Sequence, residues 1–212
     1  MASNFNWITP VYDTLARAVF GQSLNRAQSV FLDRIPAGAS VLIVGGGTGW
    51  LLEPLLRGGR TSHILYLETS ARMLARASQR VLDRQLLGVV AFQLGDERTL
   101  PTGMNVDVVI TPFVLDMFTA QSLRTQMIPL LRQALKPGGQ WIITDFVVGA
   151  GKWQKRLIQL MIWFFRLTAS IETRQLVDWQ SLMAETGLRL QERQPQVGGM
   201  VSAEIWVDPL VS

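Results

Sequence analysis

Apolar positions along the chain switch between two periods, and the switches outline the fold. Val41-Leu-Ile-Val44 is an unbroken branched run, the pattern of a parallel strand covered on both faces. It leads into Gly45-Gly-Gly-Thr-Gly49, after which Trp50 to Leu56 reads as the start of a helix. Further strand-like runs are His63–Leu67, ending at Glu68; Val89–Leu94, closed by Gly95-Asp96; Val106–Ile110, ending at Thr111-Pro112; and Gln140–Val148. Helical spacing fills the intervals. Pro10 to about Leu32 has an apolar face at Val11, Leu15, Ala18 and Val19, with a break at Gly21. Ser70 caps a helix carrying Met73, Leu74, Ala77 and Val81 on one side. Ser122–Leu135 is a helix stopped by Lys136-Pro-Gly-Gly139, and Leu176–Thr186 is another. Gly187–Leu190 and Ala203–Val207 leave room for two last strands. Regular alternation of strand and helix predicts a doubly wound α/β sheet, whose ligands bind beyond the carboxyl ends of the strands.

Composition narrows the chemistry. The 212 residues fit one domain with a sizeable core, and 48% hydrophobic against 17% charged residues describes an ordered globular chain. With no cysteine and the single histidine His63, disulfides, thiolate nucleophiles and the usual zinc ligand sets are excluded, and no metal is expected. The net charge of +4 is scattered among acidic residues, unlike the clustered stripe of a dedicated nucleic-acid binder. The N-terminus shows neither a basic nor an apolar export region, so a cytoplasmic location is expected.

The glycine loop carries the candidate chemistry. Positive φ is open to glycine, and a missing Cβ lets a ligand reach the backbone. A P-loop would need a lysine after Gly49, and a dinucleotide fingerprint would need its third glycine at Trp50. The spacing is Gly45-x-Gly47-x-Gly49. Glu68 closes the second strand, where a carboxylate can accept both hydroxyls of a ribose. Asp96 closes the third, where it could accept an adenine amino group. An ordinary strand-end cap is the alternative role of each. Together with Thr111 they lie on one predicted rim, as a nucleoside site requires.

These blocks resemble the class I S-adenosylmethionine-dependent methyltransferases over residues 41–148. Val41–Gly49 resembles that family's glycine motif, Leu67-Glu-Thr-Ser70 with Met73-Leu74 its ribose-binding strand end, and Gly95-Asp96 its adenine-side motif. Asp107–Thr111 and Leu135–Gly139 resemble its fourth-strand motif and the turn before its fifth strand. The resemblance implies a Rossmann-like seven-stranded sheet, mostly parallel with an antiparallel last strand and helices on both faces. It implies S-adenosyl-L-methionine as cofactor, held by Gly45, Gly46, Gly47, Gly49, Glu68, Thr69, Met73, Asp96, Glu97 and Thr111. Val11-Tyr-Asp-Thr-Leu15 with Phe20-Gly21 further resembles the ubiquinone/menaquinone-biosynthesis branch, which makes Tyr12 a candidate lid over the cofactor. In this layout residues 1–212 form a single domain, with a helical N-terminal lid at 1–35 and a helical insertion over the acceptor pocket at 149–186. One position departs from the family. Ile43 stands where an acidic residue, two before the first glycine, usually helps to hold the methionyl amine.

Methyl transfer from a sulfonium is an in-line displacement in which positioning does much of the work. A phenolic or carbon acceptor also needs a base. His63 lies at the far end of its strand, so Asp116 and Asp145 are the candidates, and Asp116, just beyond Thr111–Leu115, is preferred. Its alternative role is a helix cap. Thr111-Pro112-Phe113 lacks the Asn/Asp-Pro-Pro-Tyr/Phe signature of amide and nucleobase N-methyltransferases. The apolar run Leu157–Phe165, flanked by Lys152, Lys155, Arg156 and Arg166, is too short to span a membrane. The 152–167 segment fits a lid over a small apolar or aromatic acceptor, a peripheral membrane contact, a packed helix or a homodimer contact. Two readings compete with an enzyme of this type: a methyltransferase-like binding or scaffold protein, and a nicotinamide-dependent oxidoreductase, which the glycine spacing disfavours.

Overall fold

The computed structural model describes residues 22–148 and 176–209. Its strands are β1 (Ala39–Val44), β2 (Thr61–Glu68), β3 (Val90–Leu94), β4 (Val106–Pro112), β5 (Leu135–Phe146), β6 (Arg189–Gln196) and β7 (Val201–Val207). They form one seven-stranded sheet in the order β3-β2-β1-β4-β5-β7-β6. β7 pairs antiparallel with both β5 and β6, and every other pairing is parallel. This is the expected architecture.

β1 explains why the sheet has two cores. All six of its residues are buried, and its pleat sends Val41 and Ile43 into one cluster and Leu42 and Val44 into the other. The first cluster is closed by Leu51, Leu52 and Leu55 around α2 (Leu52–Arg57) and by Ala77 of α3 (Ala71–Asp83). The second is closed by Leu123, Met127 and Leu131, and by Trp179 of the helix Trp179–Ala184. Edge strands β3 and β6 have mixed or largely exposed patterns. A smaller cluster packs Leu24 and Ala27 of α1 (Ser23–Ser29) against Phe146, Met200 and Val201, at the carboxyl end of β5.

Asp107 staples the three central strands. Its carboxylate accepts the amide and hydroxyl of Ser40 at 2.8 and 2.7 Å and the Lys136 ammonium at 2.7 Å. Burial pushes this carboxyl up, but those donors outweigh it and bring its pKa to about 2.

Three local expectations shift. The helix after the glycine loop starts at Leu52 and not at Trp50, because Gly49 and Leu52 are still closing tight turns. The rod between β4 and β5 is composite: Ala120–Ser122 as α4, a π-helical turn over Leu123–Met127, then α5 (Ile128–Gln133). Pro129 has no N–H to give to the preceding turn, and the wider π spacing accommodates it. The rod stops before Lys136-Pro-Gly-Gly139 as expected, but those four residues already belong to β5. Leu135 pairs with Val106, while the Gly138 amide and Gly139 carbonyl bond Asp208.

Candidate functional site

Parallel strands of matched register end together, and here the ladder continues one residue past them. Gly45 N–H donates to Leu67 O at 2.8 Å, Gly95 N–H to Glu68 O at 3.0 Å, and Phe113 N–H to Thr144 O at 2.7 Å. The loops after β1 to β4 are thereby fixed on one rim, and the glycine loop lies at its centre.

Each glycine of that loop meets a different constraint. Gly45, Gly47 and Gly49 have φ of +67°, +61° and +77°. A Cβ on Gly45 would stand 2.5 Å from Val114 Cγ2, and one on Gly49 2.7 Å from Ala77 Cβ. A Cβ on Gly46 would stand 2.5 Å from the Tyr66 hydroxyl. Only at Gly47 is there nothing within 4 Å. Three of the four positions are therefore filled by the protein, and Gly47 offers the open cradle that a nucleoside ligand would occupy.

Glu68 anchors this cradle from below. It is 5% exposed. One carboxylate oxygen accepts the Gly47 amide at 3.0 Å, and the other accepts the Ser70 amide at 2.9 Å and the Thr69 hydroxyl at 3.4 Å. Burial raises its pKa against those hydrogen bonds. The Thr69 backbone N–H is a fourth donor to this carboxylate, which accepts roughly four hydrogen bonds, so a ligand hydroxyl would take the place of the long Thr69 hydroxyl bond. Ser70 caps α3 as expected, its hydroxyl accepting the Met73 amide at 3.3 Å. Thr69 is exposed and the Met73 side chain is buried beneath the turn.

The remaining rim residues divide. Asp96 caps the turn Glu97–Thr99, and its carboxylate is held by the Arg98 amide at 3.0 Å and by the Arg98 guanidinium. An adenine amine here would share the acceptor with Arg98. Glu97 is buried, which raises its pKa, and no cation pairs with it among the described residues. Thr111 lies in the core: it is fully buried, and its hydroxyl accepts the Trp141 indole N–H at 3.0 Å. Ile43 is likewise core. His63 is exposed at the opposite end of β2, as expected. Tyr12 and the 152–167 segment lie outside the described residues, as do residues 1–21 of the N-terminal lid and 149–175 of the insertion.

Tyr66 was not singled out by the sequence reading. Fully buried beneath the loop, it donates to Gly47 O at 3.0 Å. Burial, and then the charge of Glu68, push its pKa well above the usual phenol value, so it acts as a neutral donor. Its place two residues before Glu68, on the same face of β2, was the available signal. Arg80 of α3 holds the loop from the other side, its Nε donating to Thr48 O at 3.1 Å.

The loop after β4 is built around Asp145. Phe113 takes φ +55°, uncommon for a non-glycine residue, and the chain turns so that successive amides converge. Asp145 Oδ2 accepts from Val114 at 3.0 Å, Leu115 at 2.8 Å and Asp116 at 3.4 Å, while Oδ1 accepts from Phe146 at 2.8 Å. Asp116 sits in the short turn Leu115–Met117, half-buried, with its carboxyl bonded to that of Asp145. Burial lifts Asp116 to about 6, and burial together with the Asp116 charge pushes Asp145 well up. Asp145 is thus fully buried inside the fold, and Asp116 is the member of the pair nearer the surface.

Comparison with known proteins agrees with this geometry. The family described as Methyltransferase domain matches residues 41–139. A ubiquinone/menaquinone biosynthesis C-methyltransferase UbiE of Azotobacter vinelandii is 31% identical over 153 residues, covering 69% of this chain and 58% of that protein. One from Cellvibrio japonicus is 27% identical over 150 residues, covering 69% and 59%. The chain thus spans about three fifths of the length of the curated relatives it matches. In fold, the structure of a SAM-dependent methyltransferase from Aquifex aeolicus superposes with a TM-score of 0.66 at 17% identity, covering 94% of this chain and 96% of the other. The seven-stranded order, the open Gly47 over Glu68 and the Methyltransferase domain matched over residues 41–139 together support a class I S-adenosylmethionine-dependent methyltransferase.

Proposed function

We propose that this protein transfers a methyl group from S-adenosylmethionine to a small apolar or aromatic acceptor. The observation that carries the reading is the glycine loop, in which Gly47 alone faces open space and its amide is fixed by Glu68. The residues fit an adenosyl group: Gly47 admits it, Glu68 would accept a ribose hydroxyl in exchange for the long Thr69 hydroxyl bond, and Asp96 and Glu97 stand at the end of the neighbouring strand. When bound, S-adenosylmethionine supplies an electrophilic methyl group on a sulfonium.

The chain's part is alignment and proton transfer. The glycine loop and the Phe113–Met117 turn meet at the Gly45–Val114 contact, and together they would line the reacting end of a bound donor. Asp116, with its pKa lifted to about 6, is the base assigned to an acidic acceptor. Asp116 would take the acceptor's proton as the acceptor displaces the sulfur from the methyl group. The curated relatives are named C-methyltransferases of quinone biosynthesis, and the apolar run Leu157–Phe165 suits an acceptor of that character.

A second reading, a cofactor-binding protein without turnover, is favoured by the Arg98 guanidinium on Asp96 and by Ile43 in the core. Calorimetric titration with S-adenosylmethionine and S-adenosylhomocysteine, followed by turnover on a panel of phenols and quinols, separates the two. The proposal expects binding of both and product formation on apolar aromatics. Binding without turnover supports the second reading, and no binding of either compound refutes both.

A further inference from the structure

The Asp116–Asp145 pair has a feature that its role in holding the loop does not require. Two carboxyls are bonded to each other in the fold, and neither has an ion-pair partner among the described residues. Among the described residues, Asp116 is the only charge acting on Asp145. The charged groups that the described residues place on the neighbouring elements are committed elsewhere. Glu204 on β7, two residues beyond Asp145's partner Ser202, is paired with Arg193. Arg124 and Arg132 on the helical rod are paired with Glu185 and Asp208. The amides of 114, 115, 116 and 146 all point at Asp145, but burial and the Asp116 charge together hold its carboxyl well up, so Asp116 is the member that ionises first and Asp145 the one that keeps the shared proton. Two adjacent carboxylates cannot both ionise cheaply at close range, so such a pair calls for an external cation.

The contact between Val114 and Gly45 sets this pair beside the glycine loop, where a methyl donor's reacting end lies on the reading proposed above. S-adenosylmethionine carries a sulfonium there, and S-adenosylhomocysteine, otherwise the same molecule, carries a neutral thioether. We propose that Asp116 and Asp145 share one proton in the free protein and release it when the cationic donor binds, so that the site distinguishes donor from demethylated product by charge. The proton balance then closes over one turnover. Donor binding sends one proton from the pair to solvent and leaves Asp116 ionised as a base. Methyl transfer removes the sulfonium charge, and the pair takes up the proton that leaves the acceptor. The neutral product no longer has a counter-charge and dissociates.

The test is binding, not activity, and uses the full chain. Affinities for S-adenosylmethionine and S-adenosylhomocysteine are measured by calorimetry from pH 5 to 8, in buffers of differing ionisation enthalpy. Both ligands share the amino-acid end, so the ratio of their affinities isolates the sulfonium. The expected preference for the donor weakens on the order of tenfold from pH 7.5 to 5, as the pair regains its proton. Near pH 6 donor binding releases protons to the buffer and product binding does not. In Asp116→Asn and Asp145→Asn the ratio becomes independent of pH. A flat ratio in the wild-type protein with no proton release overturns the proposal, as does a slope that survives in both variants. If neither variant folds, the wild-type proton count decides alone. Failure of both ligands to bind at any pH refutes the underlying functional reading instead.

Discussion

The Tyr66 ring occupies the space that a side chain on Gly46 would need. Its hydroxyl would meet a Cβ at 2.5 Å and its ring carbons at 2.6 Å, while the hydroxyl itself donates to the carbonyl of Gly47 at 3.0 Å. The phenol is fully buried between strand and loop, so it cannot swing aside. Two adjacent glycines therefore have opposite duties: Gly46 admits the protein's own ring, and Gly47 leaves room for something else.

Gly46→Ala should overpack this contact and destabilise the free protein by roughly 1–3 kcal/mol. Gly47→Ala meets no atom, and its unfavourable positive φ should cost about 1 kcal/mol, while cofactor affinity falls steeply. Thermal unfolding paired with S-adenosylmethionine titration checks both. Equal losses of stability with unchanged binding in Gly47→Ala would contradict the division.

Much of this site was legible in the sequence because it is local. The apolar run into the glycines, the Ser70 cap and the carboxylate ending β2 are decided within a few residues, and the structure has them in those roles. What escaped depends on partners distant in the chain, or on one nearby side chain choosing among donors. Thr111 reads as a rim residue until Trp141, thirty positions on, claims its hydroxyl. Asp96 reads as a free acceptor, but Arg98 folds back onto it. Asp145 reads as a possible base until its four backbone donors are seen. The π turn before Pro129 escaped because apolar spacing alone does not distinguish it from an ordinary helix.

Glu68 links the loop to α3 through the amides of Gly47 and Ser70, so its removal should act twice. Glu68→Ala is expected to weaken S-adenosylmethionine binding by roughly 1–3 kcal/mol, and to lower thermal stability because the buried Ser70 amide and the partly buried Gly47 amide lose their acceptor. Glu68→Gln, which keeps one carbonyl oxygen, should fall between. Unchanged affinity in a folded Glu68→Ala protein would make Glu68 a loop staple only.

Asp116 should cost the protein stability at neutral pH. Its folded pKa of about 6 lies above the ordinary value of 3.8, so the folded state binds the proton more tightly. The stabilisation is complete below about pH 4 and is lost as pH rises through about 6. Asp116→Asn removes this dependence. Its unfolding free energy should exceed that of wild type at pH 7.5 by on the order of 1–2 kcal/mol after allowing for solvent screening, raising the melting temperature, and the gain should vanish near pH 4. An Asn variant with no advantage at pH 7.5 would refute this assignment.

The strand order also sets a timetable for folding. β5 borders β4 on one side and β7 on the other, yet β7 is the last of the seven strands to leave the ribosome. Until Val201–Val207 is synthesised, the amides and carbonyls from Gln140 to Phe146 have no neighbour on that side. Buried Trp141 and Ile143 sit on this unfinished margin, beside the carboxylate that organises the loop after β4. A nascent chain carrying β1 to β5 thus presents an apolar edge open to pairing with another molecule, the state in which chaperone dependence and aggregation concentrate.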